Sequence, residues 1–159
     1  MKASGKNISS SKKLEKDNVS EQTRDIASDL SRLGSFDEIL EYLITYVTQT
    51  LEAERGSLFL HDPAAHQLYT RVALGNLSRE IRIDEQSGVA GWVFMNAEAT
   101  IVNNPYKDER FNKEVDERTG YRTKSLICVP IFSTGDIPIG VLQVLNKQTG
   151  RFTKADLAK

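Results

Sequence analysis

The stretch that decides the fold is Asn104–Lys147, which reads NPYKDERFNKEVDERTGYRTKSLICVPIFSTGDIPIGVLQVLNK. Its first half is polar and has the spacing of a helix, which Gly120 can end in the left-handed conformation. Its second half holds two strongly apolar runs, residues 126–132 and 137–145, separated by a short polar turn. Because such runs are typical of long central strands, a helix leading into a hairpin is predicted.

The predicted helix carries a polar face. Asn112, Asp116 and Thr119 recur at i, i+4 and i+7, so an amide, a carboxylate and a hydroxyl lie on one side. Phe111 and Val115 form an adjoining apolar face that would seat the helix on the following strands. We expect the polar face to bind a small polar ligand, and the alternative is an ordinary solvated helix face.

The remainder of the chain alternates between strand-like and helix-like patterns. Ser87 and Gly88 mark the start of a helix of small and apolar residues. In chain order, the other predicted elements are a helix over 36–51, strands over 56–60, 67–74 and 81–83, the helix over 89–96 and a short strand at 101–102. Together with the two central strands, these elements predict helices covering an antiparallel sheet, which is an α+β fold.

Charge and composition exclude several classes of function. The net charge is −1, and residues 1–17 carry +3, which leaves −4 on the rest of the chain. A mildly acidic domain lacks the excess of positive charge that binding to nucleic acid requires. No run approaches about 18 apolar residues and no signal-peptide core follows the N-terminus, so we expect a cytoplasmic chain without membrane contact. The single cysteine, Cys128, excludes an internal disulfide.

Three motifs make the chain similar to a known family. SGVAGWVF at 87–94, FNKEVDERTGYRT at 111–123 and IGVLQVLNK at 139–147 resemble the GAF domains of cyclic-nucleotide phosphodiesterases and of bacterial adenylyl cyclases. The second motif is specific to the nucleotide-binding subgroup. The resemblance covers roughly residues 33–157. It implies the GAF fold, a central antiparallel sheet of about six strands covered by helices on both sides.

The family's Asn-Lys-Phe-Asp-Glu signature is matched at four of its five positions. These are Asn146, Lys147, Phe152 and Asp156, whereas Leu157 stands where the family usually has Glu. In the family the Lys and Asp form a salt bridge that supports the pocket from outside. The resemblance therefore implies a structural role for these residues.

The helix start at Val89 and Ala90 is a candidate phosphate site. Its small residues let a ligand approach the backbone, and free N–H groups at a helix start favour an anion. From the residues alone, tight packing of the helix on the sheet is the alternative. In related GAF domains the amides matching Val89 and Ala90 face the cyclic phosphate, so the resemblance favours the phosphate site.

Other polar side chains are expected to contact the nucleotide. Asp116 can only accept hydrogen bonds, which suits an exocyclic amine or a ring N–H. Arg71 stands where phosphodiesterase domains often carry an aromatic residue, and it could stack its guanidinium group over the base. With Asn112 of the polar face, the remaining expected ligand-binding residues are Ser57, Thr119, Thr123 and Gln143.

No residue set in the sequence suggests catalysis or metal binding. His61 and His66 flank a turn at a poor metal spacing and are expected to be exposed. Cys128 lies in an apolar run and is expected in the core. The chain itself is therefore expected not to be an enzyme and to need no cofactor or metal.

These patterns together predict a regulatory GAF domain that controls an attached signalling enzyme. The expected ligand is cyclic AMP in preference to cyclic GMP, and an adenylyl cyclase is the preferred enzyme because Arg71 departs from the phosphodiesterase pattern. The alternative is a GAF domain of a phosphodiesterase or sensor kinase that only dimerises and has no ligand.

Three segments are predicted along the chain. Residues 1–17 form a disordered leader, 18–33 a linker helix and 34–159 the GAF domain. The last helix of the domain is expected to start at Lys154 and to be cut short at the end of the sequence.

We expect the chain to form a homodimer through residues 18–33. Ile26, Leu30 and Leu33 repeat at i, i+4 and i+7, which gives a narrow apolar stripe suited to a partner helix. Replacing Ile26 and Leu30 by Glu should yield a monomer in analytical ultracentrifugation. A wild-type chain that sediments as a monomer at high concentration would contradict the expectation.

Overall fold

The computed structural model describes residues 25–26, 28–29, 32–74 and 80–159. The chain divides into two compact units, residues 1–39 and 40–159. The predicted leader, residues 1–17, and most of the predicted linker helix, residues 18–33, lie outside the described residues. Residues 25, 26, 28 and 29 are helical, and Leu33 is not.

Helix α1, Phe36–Thr50, begins with a capping box. The N–H of Glu38 donates to Ser35 Oγ over 3.2 Å, and Glu38 Oε2 accepts from the N–H of Ser35 over 3.0 Å. This reciprocal pair satisfies two of the backbone donors that a helix start leaves free. The predicted helix over 36–51 is thus present with almost the same bounds.

The second unit is built on one six-stranded antiparallel sheet in the order β3-β2-β1-β6-β5-β4. The strands are β1 Ala53–Asp62, β2 Gln67–Ala73, β3 Arg82–Asp84, β4 Thr100–Val102, β5 Leu126–Phe132 and β6 Pro138–Lys147. Helices α2, Gly88–Asn96, and α3, Lys113–Thr119, complete the regular structure with two 3₁₀ turns at Pro105–Lys107 and Asp156–Ala158. The predicted α+β fold and its strands are confirmed. The helix expected from Lys154 is a short 3₁₀ turn instead.

Two apolar layers cover the two faces of the sheet. On one face α2 packs with strand residues around Phe59, Leu126 and Val141. On the other face, Val47 of α1 packs with a cluster that includes Ile127 and Val144. The expectation of helices on both sides is therefore confirmed. Cys128 is fully buried in the first layer, and burial raises the pKa of its thiol, so it is an inert core residue.

Close contact between α1 and β1 depends on Gly56. A Cβ atom at this position would overlap Thr48 Oγ1 and lie 2.9 Å from Ile44 Cγ2. Thr48 has little freedom to move away, because its hydroxyl donates to the Ile44 carbonyl over 2.6 Å and its side chain is buried. The absence of a side chain at Gly56 thus sets the distance between this helix and the sheet.

Replacing Gly56 by Ala should lower the free energy of unfolding by about 1–3 kcal/mol, because the added methyl group overpacks the contact between helix and sheet. Urea unfolding measures the change. Gly34→Ala is the matched control, since its Cβ would come no closer than 3.6 Å to Glu38. An equal loss in both variants would show that the packing at Gly56 is not the cause.

Candidate ligand-binding site

A pocket opens on the face of the sheet that carries α2. Its empty volume is about 710 Å³ when the open solvent at its mouth is included. Strands β1 and β6 form its floor, and the start of α2, helix α3 and residues 119–123 form its walls. The lining residues are Arg55, Ser57, Phe59, Ile81, Ile83, Gly88, Val89, Ala90, Phe111, Asn112, Val115, Asp116, Thr119, Tyr121, Thr123, Gln143 and Leu145.

The start of α2 supplies backbone donors to this pocket. Its first intrahelical hydrogen bond runs from the N–H of Gly91 to the carbonyl of Ser87 over 3.0 Å. The N–H groups of Val89 and Ala90 have no acceptor among the residues that the structure describes, and both residues line the pocket. These amides lie at the positive end of the helix dipole, so the arrangement suits an anionic group of a ligand.

Asn112 is the N-cap of α3 and not part of its helical face. Its Oδ1 accepts from the N–H of Glu114 over 3.0 Å, and its Nδ2 donates to Ser87 Oγ over 3.0 Å. Asn112 therefore precedes the helix and does not belong to it, but it lines the same pocket as Asp116 and Thr119. Through Ser87 it also joins the start of α3 to the start of α2, which makes it a positioning residue at the pocket edge.

Asp116 lines the pocket, but its carboxylate is already engaged by the protein. Oδ2 accepts from the Tyr106 hydroxyl over 2.9 Å and from the N–H of Thr123 over 2.7 Å, and Oδ1 accepts from the Thr123 hydroxyl over 2.7 Å. Asp116 is 6% exposed and Thr123 is 3% exposed. A polar residue on a solvated face would be neither buried nor saturated in this way. Asp116 instead connects α3 to Tyr106, which precedes the helix, and to Thr123, which lies just before strand β5.

Thr119 lies at the exposed end of α3 and also lines the pocket. Its hydroxyl donates to the Val115 carbonyl over 2.8 Å, one turn earlier in its own helix. Gly120 follows with φ 67° and ends the helix in the left-handed conformation, as the sequence predicts. Phe111 packs on the core as expected and in addition forms part of the pocket wall.

Ser57 and Gln143 lie side by side on the floor. They are direct partners in the pairing of β1 with β6, and both line the pocket. Within the described part of the chain, neither side chain forms a hydrogen bond. Each can donate and accept, so these two groups are available to a polar ligand.

Arg71 is not among the residues that line the pocket, so its stacking on a base stays a prediction without support from the pocket geometry. It lies at a β-bulge, where Leu58 pairs with Val72 and Phe59 pairs with Thr70. As the extra residue of the bulge, Arg71 is exposed and does not continue the alternation that points Phe59 and Thr70 to the α2 side. The arginine in the pocket is Arg55, which the sequence interpretation missed. Its i, i+2 spacing to Ser57 was the available signal.

The signature residues form two connected supports. Asn146, 2% exposed with φ 57°, accepts from the N–H of Lys124 over 2.6 Å and donates to the Arg122 carbonyl over 2.9 Å and to Glu54 Oε2 over 3.0 Å. The expected salt bridge is present, since Lys147 Nζ lies 3.2 Å from Asp156 Oδ1. Neither support lines the pocket itself.

Asp156 is held as a carboxylate by the groups around it. Burial opposes ionisation, but hydrogen bonds from the backbone and hydroxyl of Thr153, and from Lys147 and Lys159, lower the pKa of Asp156 to about 2. The Lys147 ammonium group also donates to the Leu51 carbonyl over 3.0 Å. The end of the chain is thereby tied to the end of α1 without the Glu that Leu157 replaces.

The two histidines contact one carboxylate. His61 Nε2 lies 2.6 Å from Glu85 Oε2, and His66 Nδ1 lies 3.1 Å from Glu85 Oε1. Hydrogen bonds from His61 and His66 lower the pKa of Glu85. His66 is exposed as expected, whereas the His61 side chain is 21% exposed and packs on Phe94, so that expectation was wrong. Among the described residues, no group of three His, Cys, Asp or Glu side chains is placed to hold a metal ion.

The fold and the pocket define an α+β domain with a candidate small-molecule site, and comparisons with known proteins name its family. The model of the GAF domain matches residues 35–158. A probable 3′,5′-cyclic phosphodiesterase of Caenorhabditis elegans is 39% identical over 134 residues, which are 77% of this chain and 18% of that protein. The chain therefore belongs to the GAF domain family.

Two further relatives carry related names. A dual 3′,5′-cyclic-AMP and -GMP phosphodiesterase 11 of Drosophila melanogaster is 35% identical over 89% of this chain and 11% of its own length. A cGMP-specific 3′,5′-cyclic phosphodiesterase of Drosophila pseudoobscura is 34% identical over 82% of this chain and 13% of its own length. This chain thus spans less than a fifth of each of these relatives.

Solved structures agree on the fold. The GAF domain of a phosphoenolpyruvate-protein phosphotransferase from Coxiella burnetii superposes with a TM-score of 0.75 at 17% identity, covering 85% of this chain and 81% of that one. The corresponding domain from Acinetobacter gives 0.71 at 22% identity, covering 85% and 80%. In the described part of this chain, no helix has the length and hydropathy needed to cross a membrane.

Replacing Asp116 by Ala should destabilise the fold, because it leaves the Tyr106 hydroxyl and the two donors of Thr123 without their acceptor. Each buried donor left unpaired costs about 1–3 kcal/mol. Urea unfolding measures the loss. Thr119→Ala is the matched control on the same helix; as an exposed residue bonded only locally, it should change stability by less than about 0.5 kcal/mol. Equal, small effects in both variants would contradict the structural role of Asp116.

Proposed function

We propose that this chain is a regulatory domain of a cyclic-nucleotide phosphodiesterase and that its pocket binds a purine 3′,5′-cyclic nucleotide. The observation that supports the ligand most directly is the free pair of amides at Val89 and Ala90, which would hold the cyclic phosphate. Apolar walls at Ile81, Ile83 and Phe111 would enclose the base and the ribose.

The names of the relatives support a phosphodiesterase as the attached enzyme. Each of the three is a phosphodiesterase, one named as cGMP-specific and one as acting on both cyclic AMP and cyclic GMP. They give no support to the adenylyl cyclase or to the cyclic AMP preference expected from the sequence. The phosphodiesterase in the alternative interpretation fits better.

Closure of the segment over residues 104–120 on the nucleotide would supply the regulatory change. Asp116 joins α3 to Thr123, and the residues that follow lead directly into β5. A ligand that orders α3 would therefore also order this connection. Strand β6 pairs with β5 and ends at Asn146 and Lys147, so the effect would reach the chain end at Asp156.

A second candidate function is a GAF domain that dimerises and has no ligand. One observation favours it: the polar groups of Asp116, Thr119 and Asn112 are engaged within the fold, which leaves fewer side chains for a ligand. The homodimer through residues 18–33 is compatible with both candidates and stays a prediction, since most of that segment lies outside the described residues.

Cyclic nucleotide should raise the melting temperature of the chain, because a ligand that binds only the native state stabilises it by about 2.7 kcal/mol at a hundredfold excess over Kd. Differential scanning fluorimetry with cyclic GMP and cyclic AMP measures the shift, and isothermal titration gives the affinities. The acyclic 5′-monophosphates serve as controls for charge alone. No shift at millimolar cyclic nucleotide would favour the domain without a ligand.

A further inference from the structure

Among the described residues that line the pocket, Arg55 has the one cationic side chain. It lies on β1 two positions before Ser57, on the same face of the strand. Its guanidinium carbon is 3.8 Å from the centroid of the Tyr121 ring, and Tyr121 also lines the pocket. In the described part of the chain, no carboxylate or carbonyl accepts a hydrogen bond from this guanidinium group. Its N–H donors are therefore available to a ligand.

The Tyr121 ring beside Arg55 is held in position by a hydrogen bond from its hydroxyl. The Tyr121 hydroxyl donates to Glu54 Oε2 over 2.8 Å, and the same oxygen accepts from Asn146 Nδ2 over 3.0 Å. Hydrogen bonds from Asn146 and Tyr121 lower the pKa of Glu54, while burial and the bond to Glu54 raise the pKa of Tyr121. The acceptor is thus ionised and the donor protonated at neutral pH, which holds the ring in place.

Stacking orients the guanidinium plane. A guanidinium group 3.8 Å from a ring centroid can stack face to face on the ring, and this would leave the paired N–H donors at its edge for a partner in its own plane. Two parts of a cyclic nucleotide could use them: the phosphate or the edge of the base. The α2 amides of Val89 and Ala90 already provide an anion site, so the donors of Arg55 are left for the base.

Guanine and adenine differ at the edge of the base that carries N7 and the substituent at C6. Guanine presents O6 and N7 as adjacent acceptors, whereas adenine presents N7 beside an amino donor. Arginine has donors only, so it matches guanine and places donor against donor with adenine. Ser57 and Gln143 can each donate or accept, so they do not discriminate between the bases.

We propose that Arg55 is a specificity-determining residue that binds the O6 and N7 edge of a guanine base and makes the pocket selective for cyclic GMP over cyclic AMP. This preference is opposite to the one expected from the sequence. The inference rests on the proposed function, because it assumes that a cyclic nucleotide occupies the pocket.

The first test uses the unaltered 159-residue chain and calorimetric titration with four ligands. Cyclic GMP should bind about tenfold to a hundredfold more tightly than cyclic AMP, the range that one bidentate base contact provides. Cyclic IMP keeps O6 and N7 and should retain most of this preference, whereas 7-deaza cyclic GMP lacks one acceptor and should lose much of it.

The second test separates base recognition from charge. Arg55→Lys keeps the positive charge but loses the planar pair of donors, and Arg55→Gln loses both. We expect both variants to bind cyclic GMP about as weakly as cyclic AMP, with the affinity for cyclic AMP little changed. Arg82→Lys is the matched control, because Arg82 also lies over a tyrosine ring, Tyr69, but does not line the pocket.

The outcomes distinguish this inference from the proposed function. If the wild-type chain binds no cyclic nucleotide, both fail. If it binds cyclic AMP as tightly as cyclic GMP, or if Arg55→Gln weakens both ligands equally while Arg55→Lys spares both, Arg55 contacts the phosphate or nothing, and only this inference is overturned. The ligand series on the wild-type chain remains decisive even where a variant at Arg55 does not fold.

Discussion

The buried side-chain amide of Asn146 is the contact on which the architecture around the pocket depends. From the end of β6 it accepts from the backbone of Lys124 and Ser125, and it donates to the Arg122 carbonyl and to Glu54 on β1. Its positive φ is tolerated by Asn better than by most residues. A buried network of this kind is stable only when every member is satisfied, and among the described residues every side-chain nitrogen or oxygen that is fully shielded from solvent has a hydrogen-bond partner.

Two consequences follow for the pocket from this amide. The segment that contains Arg122 and Lys124 is held just before the start of β5. This places Thr123 where its N–H and its hydroxyl can donate to Asp116. On the other side, Glu54 is oriented to accept from Tyr121, whose ring lies beside Arg55. The signature asparagine does not line the pocket and neither do its hydrogen-bond partners, but the chain neighbours of those partners, Arg55, Tyr121 and Thr123, do.

The candidate site divides into groups that the fold uses and groups that it leaves free. Both oxygens of Asp116, and the oxygen and nitrogen of the Asn112 amide, already form hydrogen bonds within the chain, so these residues shape the pocket. The amides at the start of α2, the floor residues Ser57 and Gln143 and the guanidinium of Arg55 remain available. This division matters because only unsatisfied donors and acceptors can add to ligand affinity without first losing a bond in the protein.

The sequence by itself determined the sheet, the helices and the start of α2, because hydrophobic periodicity and small residues are local signals, and the family resemblance added the Lys147–Asp156 pair. Tertiary structure alone decided which polar side chains are free. A bulge in β2 takes Arg71 out of the pocket, and strand pairing brings Arg55 and Ser57 beside Gln143. The burial of Asp116 depends on Tyr106 before α3 and Thr123 after it, which meet Asp116 only when the chain folds back on both sides of the helix. Neither bulges nor hydrogen-bond partners distant in sequence are encoded in residue spacing, because both arise only when the strands and loops pack together.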